Sequence, residues 1–123
     1  MAADDNKVVI NLVTGLEDPE RVMIAFLVGG AAVEQGKQVT MFLTKEAVRL
    51  ALPGVAVGVA CEGCPPIERL FQQYADGGGG LLVCPICLNA RKLDEASLVP
   101  NARIGGATPL WEWIGEGATV FSY

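Results

Sequence analysis

Four cysteines, arranged as two Cys-x-x-Cys pairs, are the residues of this sequence best suited to chemistry. The pairs are Cys61/Cys64 and Cys84/Cys87. Histidine is absent from the 123 residues, which excludes histidine-based triads, histidine metal ligands and histidine general bases. Four cysteines in a chain whose first residues do not resemble a secretion signal indicate metal or redox roles rather than structural disulfides.

Cys84 occupies the most informative position of the four. The apolar residues 81–83 predict a short buried strand that ends at Cys84, and the proline that follows is typical of the first position of a helix. Cys84 is therefore expected where a strand ends and a helix begins. Backbone N–H groups and the helix dipole at such a place favour the negative thiolate, which is the reactive form of cysteine. Cys64 also precedes a proline at a predicted helix start and is expected to share this bias.

The first interpretation of the cysteines is nucleophilic sulfur chemistry without a cofactor. Cys84 would be the reactive thiolate, and Cys64 would be a second thiolate near it. The sulfur of Cys64 meets that of Cys84 only if the loop of residues 61–64 lies over the carboxyl edge of the sheet.

Two further interpretations of the cysteines stay open. The gap of 19 residues between the pairs is a recognised spacing for a four-thiolate zinc centre, with Cys61, Cys64, Cys84 and Cys87 as ligands and zinc as the cofactor. Alternatively, the sequence Cys-Pro-Ile-Cys resembles the redox motif of thioredoxin-like proteins, which carry out dithiol–disulfide exchange.

Strands and helices alternate along the chain, which predicts a single α/β domain over residues 1–123 with a mostly parallel five-stranded sheet and helices on both faces. Ligands in such folds bind beyond the carboxyl ends of the strands, where Cys84 falls. The predicted strands are 7–13, 38–43, 81–83, 102–104 and 119–123, with a minor strand or extended loop at 55–60. The predicted helices are 19–35, 45–52, 66–75, 89–96 and 108–114.

Composition and charge indicate which kinds of partner the chain binds. Hydrophobic residues make up 51% of the chain, so it can bury a core, and a net charge of −5 without a basic cluster argues against nucleic acid. The longest apolar run, residues 22–33, is too short to span a membrane, and the polar residues 1–7 indicate a cytoplasmic protein. A mean hydropathy of +0.38 and a first helix apolar nearly all round indicate a buried subunit interface.

Several segments in a fixed order resemble the DsrE/DsrF-like family of small sulfur-relay proteins. The resemblance covers nearly the whole chain, although no single motif is specific by itself. The segments are the Thr14-Gly15 turn, Asp-Pro-Glu-Arg at 18–21, EQGKQVTMFLT at 34–44, LLVCPICLNARKL at 81–93, GATPLWEWI at 106–114 and ATVFSY at 118–123.

That resemblance implies a three-layer α/β/α sandwich of the DsrEFH or flavodoxin-like type, assembled into homotrimers or homohexamers. It implies that Cys84 attacks a sulfur donor, accepts sulfane sulfur as a persulfide and passes it on, in a sulfurtransferase-type relay between donor and acceptor proteins or small thiols. On this interpretation Cys87 or Cys64 would be a second thiol that resolves the persulfide to a disulfide and releases sulfide. Arg91 matches an arginine of the family, although its position is also typical of a solvated helix residue. The second cysteine, Cys87, and the upstream pair are additions to the family pattern, and Lys92 stands where glycine often follows the arginine.

Overall fold

The computed structural model describes residues 6–123, and these contain a five-stranded sheet with four α-helices. The prediction about residues 1–7 therefore falls largely outside the described residues. The strands are β1 (Lys7–Leu12), β2 (Gln38–Leu43), β3 (Gly80–Val83), β4 (Ala102–Ile104) and β5 (Thr119–Ser122). The α-helices are α1 (Pro19–Glu34), α2 (Ile67–Asp76), α3 (Pro85–Ala90) and α4 (Ala107–Ile114), and 3₁₀ segments lie at Lys45–Ala51, Ala56–Gly58 and Glu95–Ser97.

All neighbouring strands pair in parallel, in the order β4-β3-β2-β1-β5. The chain steps in one direction from β1 to β4, so right-handed crossovers place α1, α2 and α3 on the same face of the sheet. The return from β4 to β5 runs the other way and places α4 on the opposite face. The predicted three-layer α/β/α architecture is confirmed, and its carboxyl edge collects the loops that follow every strand.

The main core lies between the sheet and helices α1 and α2. Phe26 of α1 packs on Phe71 and Tyr74 of α2, with ring centroids 5.4 and 5.6 Å apart. At Gly29 a side chain would bring its Cβ to 3.1 Å from Ile10 and Tyr74, so glycine lets α1 approach both neighbours closely.

Local signals at the ends of α1 act as predicted. The Asp18 carboxylate accepts a hydrogen bond from the Arg21 N–H at 3.2 Å, and Pro19 is the first helical residue. After the helix, Gly36 has a φ of +82°, which glycine adopts at little cost.

Three predicted segments differ from the structure. The short helix predicted at 45–52 is a 3₁₀ helix over residues 45–51, and residues 55–60 contain a 3₁₀ turn rather than a strand or an extended loop. The predicted helix at 89–96 is wrong beyond its first two residues, because α3 ends at Ala90. Lys92 adopts a left-handed φ of +56°, and the Asp94 carboxylate accepts hydrogen bonds from the Ala96 N–H and the Ser97 hydroxyl. These local bonds replace the helical pattern.

Among residues 6–123, every helix falls short of the length and apolar character needed to cross a membrane.

Candidate functional site at the carboxyl edge

Cys84 joins the central part of the sheet to α3. Its N–H donates to the Leu43 carbonyl of β2 at 3.1 Å, and its own carbonyl accepts the Leu88 N–H of α3 at 3.1 Å. Pro85 is the first residue of the helix. The expected place of Cys84, at the end of a strand and the start of a helix, is therefore confirmed. Two backbone hydrogen bonds hold its main chain in position.

The two cysteines at this edge are partly exposed and pack against the hydrophobic core. Cys84 and Cys87 carry free thiols and are half-buried against the core. Leu88 is fully buried and anchors α3, whereas Ile86 is 79% exposed on the outer side of the same helix. A sulfur in this position is held in place by packing and stays within reach of another molecule.

Helix α3 has only six residues, so the dipole at its N-terminus is weaker than that of a longer helix. The Cys84 side chain makes no capping hydrogen bond with any group among residues 6–123. The N–H groups of Ile86 and Cys87, in the first turn, have no acceptor within the helix. They are the donors that a cap at Cys84 would use.

Arg91 braces the far end of α3 instead of extending into solvent. Its Nε donates to the Glu46 Oε2 at 2.6 Å, and its Nη1 donates to the Cys87 carbonyl at 3.2 Å. Glu46 also accepts the Arg49 Nε at 2.8 Å. The guanidinium of Arg91, followed by that of Arg49, holds the pKa of Glu46 below its usual value. Arg91 thus ties the helix that carries Cys87 to the 3₁₀ helix after β2, which corrects the interpretation of a merely solvated side chain.

Sequence reasoning did not single out Glu46. The only local signal is the spacing of three residues between Glu46 and Arg49, which is common on helical surfaces. The partner that connects it to the site, Arg91, is 45 residues away in the chain. Only the parallel pairing of β2 with β3 brings the two together.

Glycines let the flanking loops close on this edge. At Gly15, after β1, a side chain would place its Cβ 2.5 Å from the Glu46 carbonyl oxygen. Gly105, after β4, donates its N–H to the Val83 carbonyl at 3.0 Å, and a Cβ there would lie 2.5 Å from Leu82. Gly106 lies beside Pro85. Residues on both sides of β3 therefore pack directly against the segment that carries Cys84.

The upstream pair has a different state, because Cys61 and Cys64 form a disulfide with a Cα–Cα distance of 5.3 Å. Cys64 is therefore bonded to Cys61 rather than free in this structure, and its meeting with Cys84 stays a prediction. Cys64 also does not begin a helix, because α2 starts at Ile67 with Pro66 as its N-cap. Each residue that precedes a proline favours extended backbone, which delays the helix past both prolines.

The structure does not assemble the four thiolates of the predicted zinc site. Within residues 6–123, no three cysteine or carboxylate side chains lie close enough together to hold a metal ion. One pair is closed as a disulfide and the other is free. The donor set therefore does not fit a four-cysteine zinc centre in this conformation.

The model of the DsrE/DsrF-like family matches residues 7–123 of the chain. A curated relative, an uncharacterized protein from Methanocaldococcus jannaschii named MJ0760, is 24% identical over 112 residues. The match covers 91% of the present chain but only 40% of that relative, so the chain spans about two fifths of its length.

Solved structures share the fold at low identity. The ychN protein from E. coli superposes with a TM-score of 0.78 at 21% identity, over 96% of this chain and 99% of the other. Protein MTH1491 of unknown function, from Methanobacterium thermoautotrophicum, gives 0.69 at 13% identity over 97% and 100%. Protein BT1422 of unknown function, from Bacteroides thetaiotaomicron, gives 0.63 at 16% identity over 96% and 95%.

Proposed function

The chain belongs to the DsrE/DsrF-like family, and we propose that it is a persulfide carrier that relays sulfane sulfur through Cys84. The observation that carries the proposal is the free, half-buried thiol of Cys84 at the carboxyl end of β3. That edge is where open parallel sheets bind their ligands. The sulfurtransferase activity and its cytoplasmic setting are parts of the same proposal.

The transfer needs no cofactor. The Cys84 thiolate attacks the outer sulfur of a donor persulfide, the donor S–S bond breaks, and the donor leaves as a thiolate. Cys84 then carries the persulfide, whose outer sulfur an acceptor thiolate attacks in turn. The Cys84 thiolate is the leaving group of this second step and returns to its starting state. Donor and acceptor are proteins or small thiols.

The negative sulfur has a source of stabilisation in the first turn of α3. The N–H groups of Ile86 and Cys87 have no acceptor within the helix, and the side chain of an N-cap residue is placed to accept from such donors. Hydrogen bonds to a charged acceptor are stronger than those to a neutral one, by about a factor of two. The thiolate and the persulfide anion gain more from these donors than the neutral thiol does.

Cys87 offers a second fate for the Cys84 persulfide, in which the outer sulfur is released by reduction. Its thiolate attacks the inner sulfur of the Cys84 persulfide, which forms a Cys84–Cys87 disulfide and releases the outer sulfur as hydrosulfide. The dithiol gives up two electrons, so the cycle closes only when an external dithiol reduces that disulfide. Arg91 and Glu46 hold the backbone of Cys87 in place and do not touch the reacting sulfur in this scheme.

Self-association is the second part of the proposal, as a homotrimer or homohexamer. The outer side of α1 and the neighbouring β5 expose apolar side chains, including Ile24, Leu27 and Phe121. Between these elements lies a groove of about 300 Å³ lined by Val8 and Val28 among others. Contiguous apolar surface of this kind is typical of subunit interfaces. Sedimentation of the native chain should give a trimer or hexamer, and Leu27→Asp should give monomers; a monomeric native chain would reject this part.

Sulfur loading tests the carrier proposal. The reduced chain is incubated with polysulfide, freed of excess reagent and weighed intact under native conditions. The native chain should gain the mass of one sulfur that cyanide removes, and Cys84→Ser should gain none while keeping its circular dichroism spectrum. Cys87→Ser is the matched control, since it should still load. A bound zinc with protected thiols in the same spectrum would support the metal alternative instead.

A further inference from the structure

The Cys61–Cys64 disulfide lies on an exposed turn shaped by glycine. The Cys64 N–H donates to the Cys61 carbonyl at 3.1 Å, which closes a tight turn over Glu62 and Gly63. Gly63 has a φ of +79°, a conformation that side chains rarely adopt. Glu62 and Gly63 are both exposed, and no described atom lies within 4 Å of the place a Gly63 Cβ would take. The tip of the turn is therefore open, while Cys61 and Cys64 at its base are half-buried.

The Cys61–Cys64 disulfide is expected to contribute little to the stability of the fold. It links residues only three apart, and stabilisation by a cross-link grows with the length of the loop that it closes. The chain on either side is fixed by packing, since Val59 before the turn and Ile67 after it are both buried. Helix α2 is further held to the core by the buried Leu70 and Tyr74. Opening the S–S bond therefore leaves the surrounding fold anchored.

A groove beside the disulfide gives another molecule room to approach. Its volume is about 280 Å³, and it is lined by both cysteines. The walls are otherwise mostly apolar, with Val57 at 58% exposure on one side and Pro65 on the other, and Glu68 supplies the carboxylate. A short apolar segment next to a partner's cysteine matches this shape better than a charged small molecule does.

From these observations we infer that Cys61 and Cys64 form a second reactive site, which exchanges electrons with a dithiol protein. A partner thiolate attacks one sulfur of the pair, the S–S bond breaks, and a mixed disulfide forms while the other cysteine leaves as a thiolate. The partner's second thiolate then attacks its own sulfur in the mixed disulfide. The pair ends as a dithiol with two electrons and two protons gained, and the partner ends as a disulfide.

This site is separate from Cys84 although both lie at the same end of the sheet. Helix α2 connects the carboxyl end of β2 with the amino end of β3, so its first turn and the preceding cysteine turn lie near the carboxyl edge. Yet Cys84 and Cys87 do not line the groove beside the pair, and no metal-holding cluster includes the pair within the described residues. The exchange therefore stands without the sulfur relay, and the failure of one does not remove the other.

Trapping a mixed disulfide tests the inference. The full chain carrying Cys84→Ser and Cys87→Ser is oxidised and mixed with a thioredoxin whose resolving cysteine is replaced by serine. The folded chain should form a covalent adduct that reductant reverses, and trypsin should place it on residues 50–69. The matched control, with Cys61→Ser and Cys64→Ser added, should form none while its melting temperature stays close to that of the parent.

A kinetic measurement separates a reactive disulfide from an inert one. Native thioredoxin with its reductant should reduce the pair in the folded chain at least about tenfold faster than glutathione at equal thiol concentration. The inference is overturned if the pair stays oxidised until urea unfolds the chain, or if the folded parent with Cys61 and Cys64 forms no adduct. A large fall in melting temperature on loss of the pair would assign the disulfide a structural role instead.

Discussion

The two cysteine pairs have the same spacing and opposite states. In Cys84/Cys87 the intervening residues begin with proline, the chain enters a helix, and both thiols stay free. In Cys61/Cys64 the intervening residues end with Gly63, the chain turns back on itself, and the sulfurs bond. The residues between the cysteines, at equal spacing, give the two pairs different backbone geometry: a helix start in one and a tight turn in the other.

The two cysteine pairs also differ in how firmly their surroundings attach them to the core. The helical pair is attached to the core through the buried Leu88 and braced by the contact of Arg91 with Glu46. The turn pair is attached only through its flanks and faces solvent at Glu62 and Gly63. The first arrangement suits a thiol that must hold its position during transfer. The second suits a disulfide that opens and closes without disturbing the fold.

The largest expected effect comes from removing the anchor of the helical pair. Leu88→Ala deletes a fully buried side chain under α3 and should lower the free energy of unfolding by about 2–5 kcal/mol. Ile86→Ala on the same helix is the control, because that side chain is 79% exposed and should change stability by less than about 0.5 kcal/mol. Urea denaturation measures both. Equal losses for the two variants would show that α3 is not anchored as described.

A smaller effect is expected from changing the turn of the other pair. Gly63→Val forces a branched side chain into the left-handed region and should destabilise the closed turn by about 1–2 kcal/mol. The fraction of disulfide at a fixed glutathione ratio should fall, as counted by differential alkylation and mass spectrometry. Glu62→Ala leaves the glycine in place and should keep the native fraction. An unchanged fraction of disulfide in Gly63→Val would show that the turn does not favour the Cys61–Cys64 bond.

The smallest effect concerns pH and the brace at the far end of α3. Because Arg91 and Arg49 lower the folded-state pKa of Glu46, its ion pairs add stability above the usual carboxyl value of 4.5 and lose it as the pH falls through the lowered value. The difference in melting temperature between the native chain and Glu46→Gln should therefore be present at neutral pH and shrink in acid. Glu116→Gln, which removes an exposed carboxylate elsewhere in the chain, is the matched control for the loss of charge. A difference in melting temperature that stays constant from neutral to acid pH would contradict a stabilising ion pair between Arg91 and Glu46.

The sequence predicted those parts of the fold that local chemistry decides. Asp18 and Pro19 marked the start of α1, Gly36 marked its end, and residues 38–43 were identified as β2 with the bounds that the structure has. Strand–helix alternation predicts the parallel pairing of the strands, whereas their order in the sheet comes from the structure. The position of Cys84 followed from the same local signals.

The missed features depend on contacts between distant residues or on competition within short segments. The contact between Glu46 and Arg91 has no sequence signature, since it exists only after β2 and β3 pair. The end of α3 was misplaced because Asp94 bonds to its own following backbone. The Cys61–Cys64 bond has a local signal in Gly63, because glycine permits the left-handed turn that closes the pair.

The central claim is that Cys84 carries the transferred sulfur, and tryptic mapping of the loaded chain tests it most directly. Cleavage after Arg49, Arg69 and Arg91 separates the two cysteine pairs into different peptides, residues 50–69 and 70–91. After polysulfide loading and alkylation, the extra sulfur should lie on Cys84 in the second peptide and should disappear with cyanide. Extra sulfur confined to the first peptide, or undiminished loading in Cys84→Ser, would contradict the account.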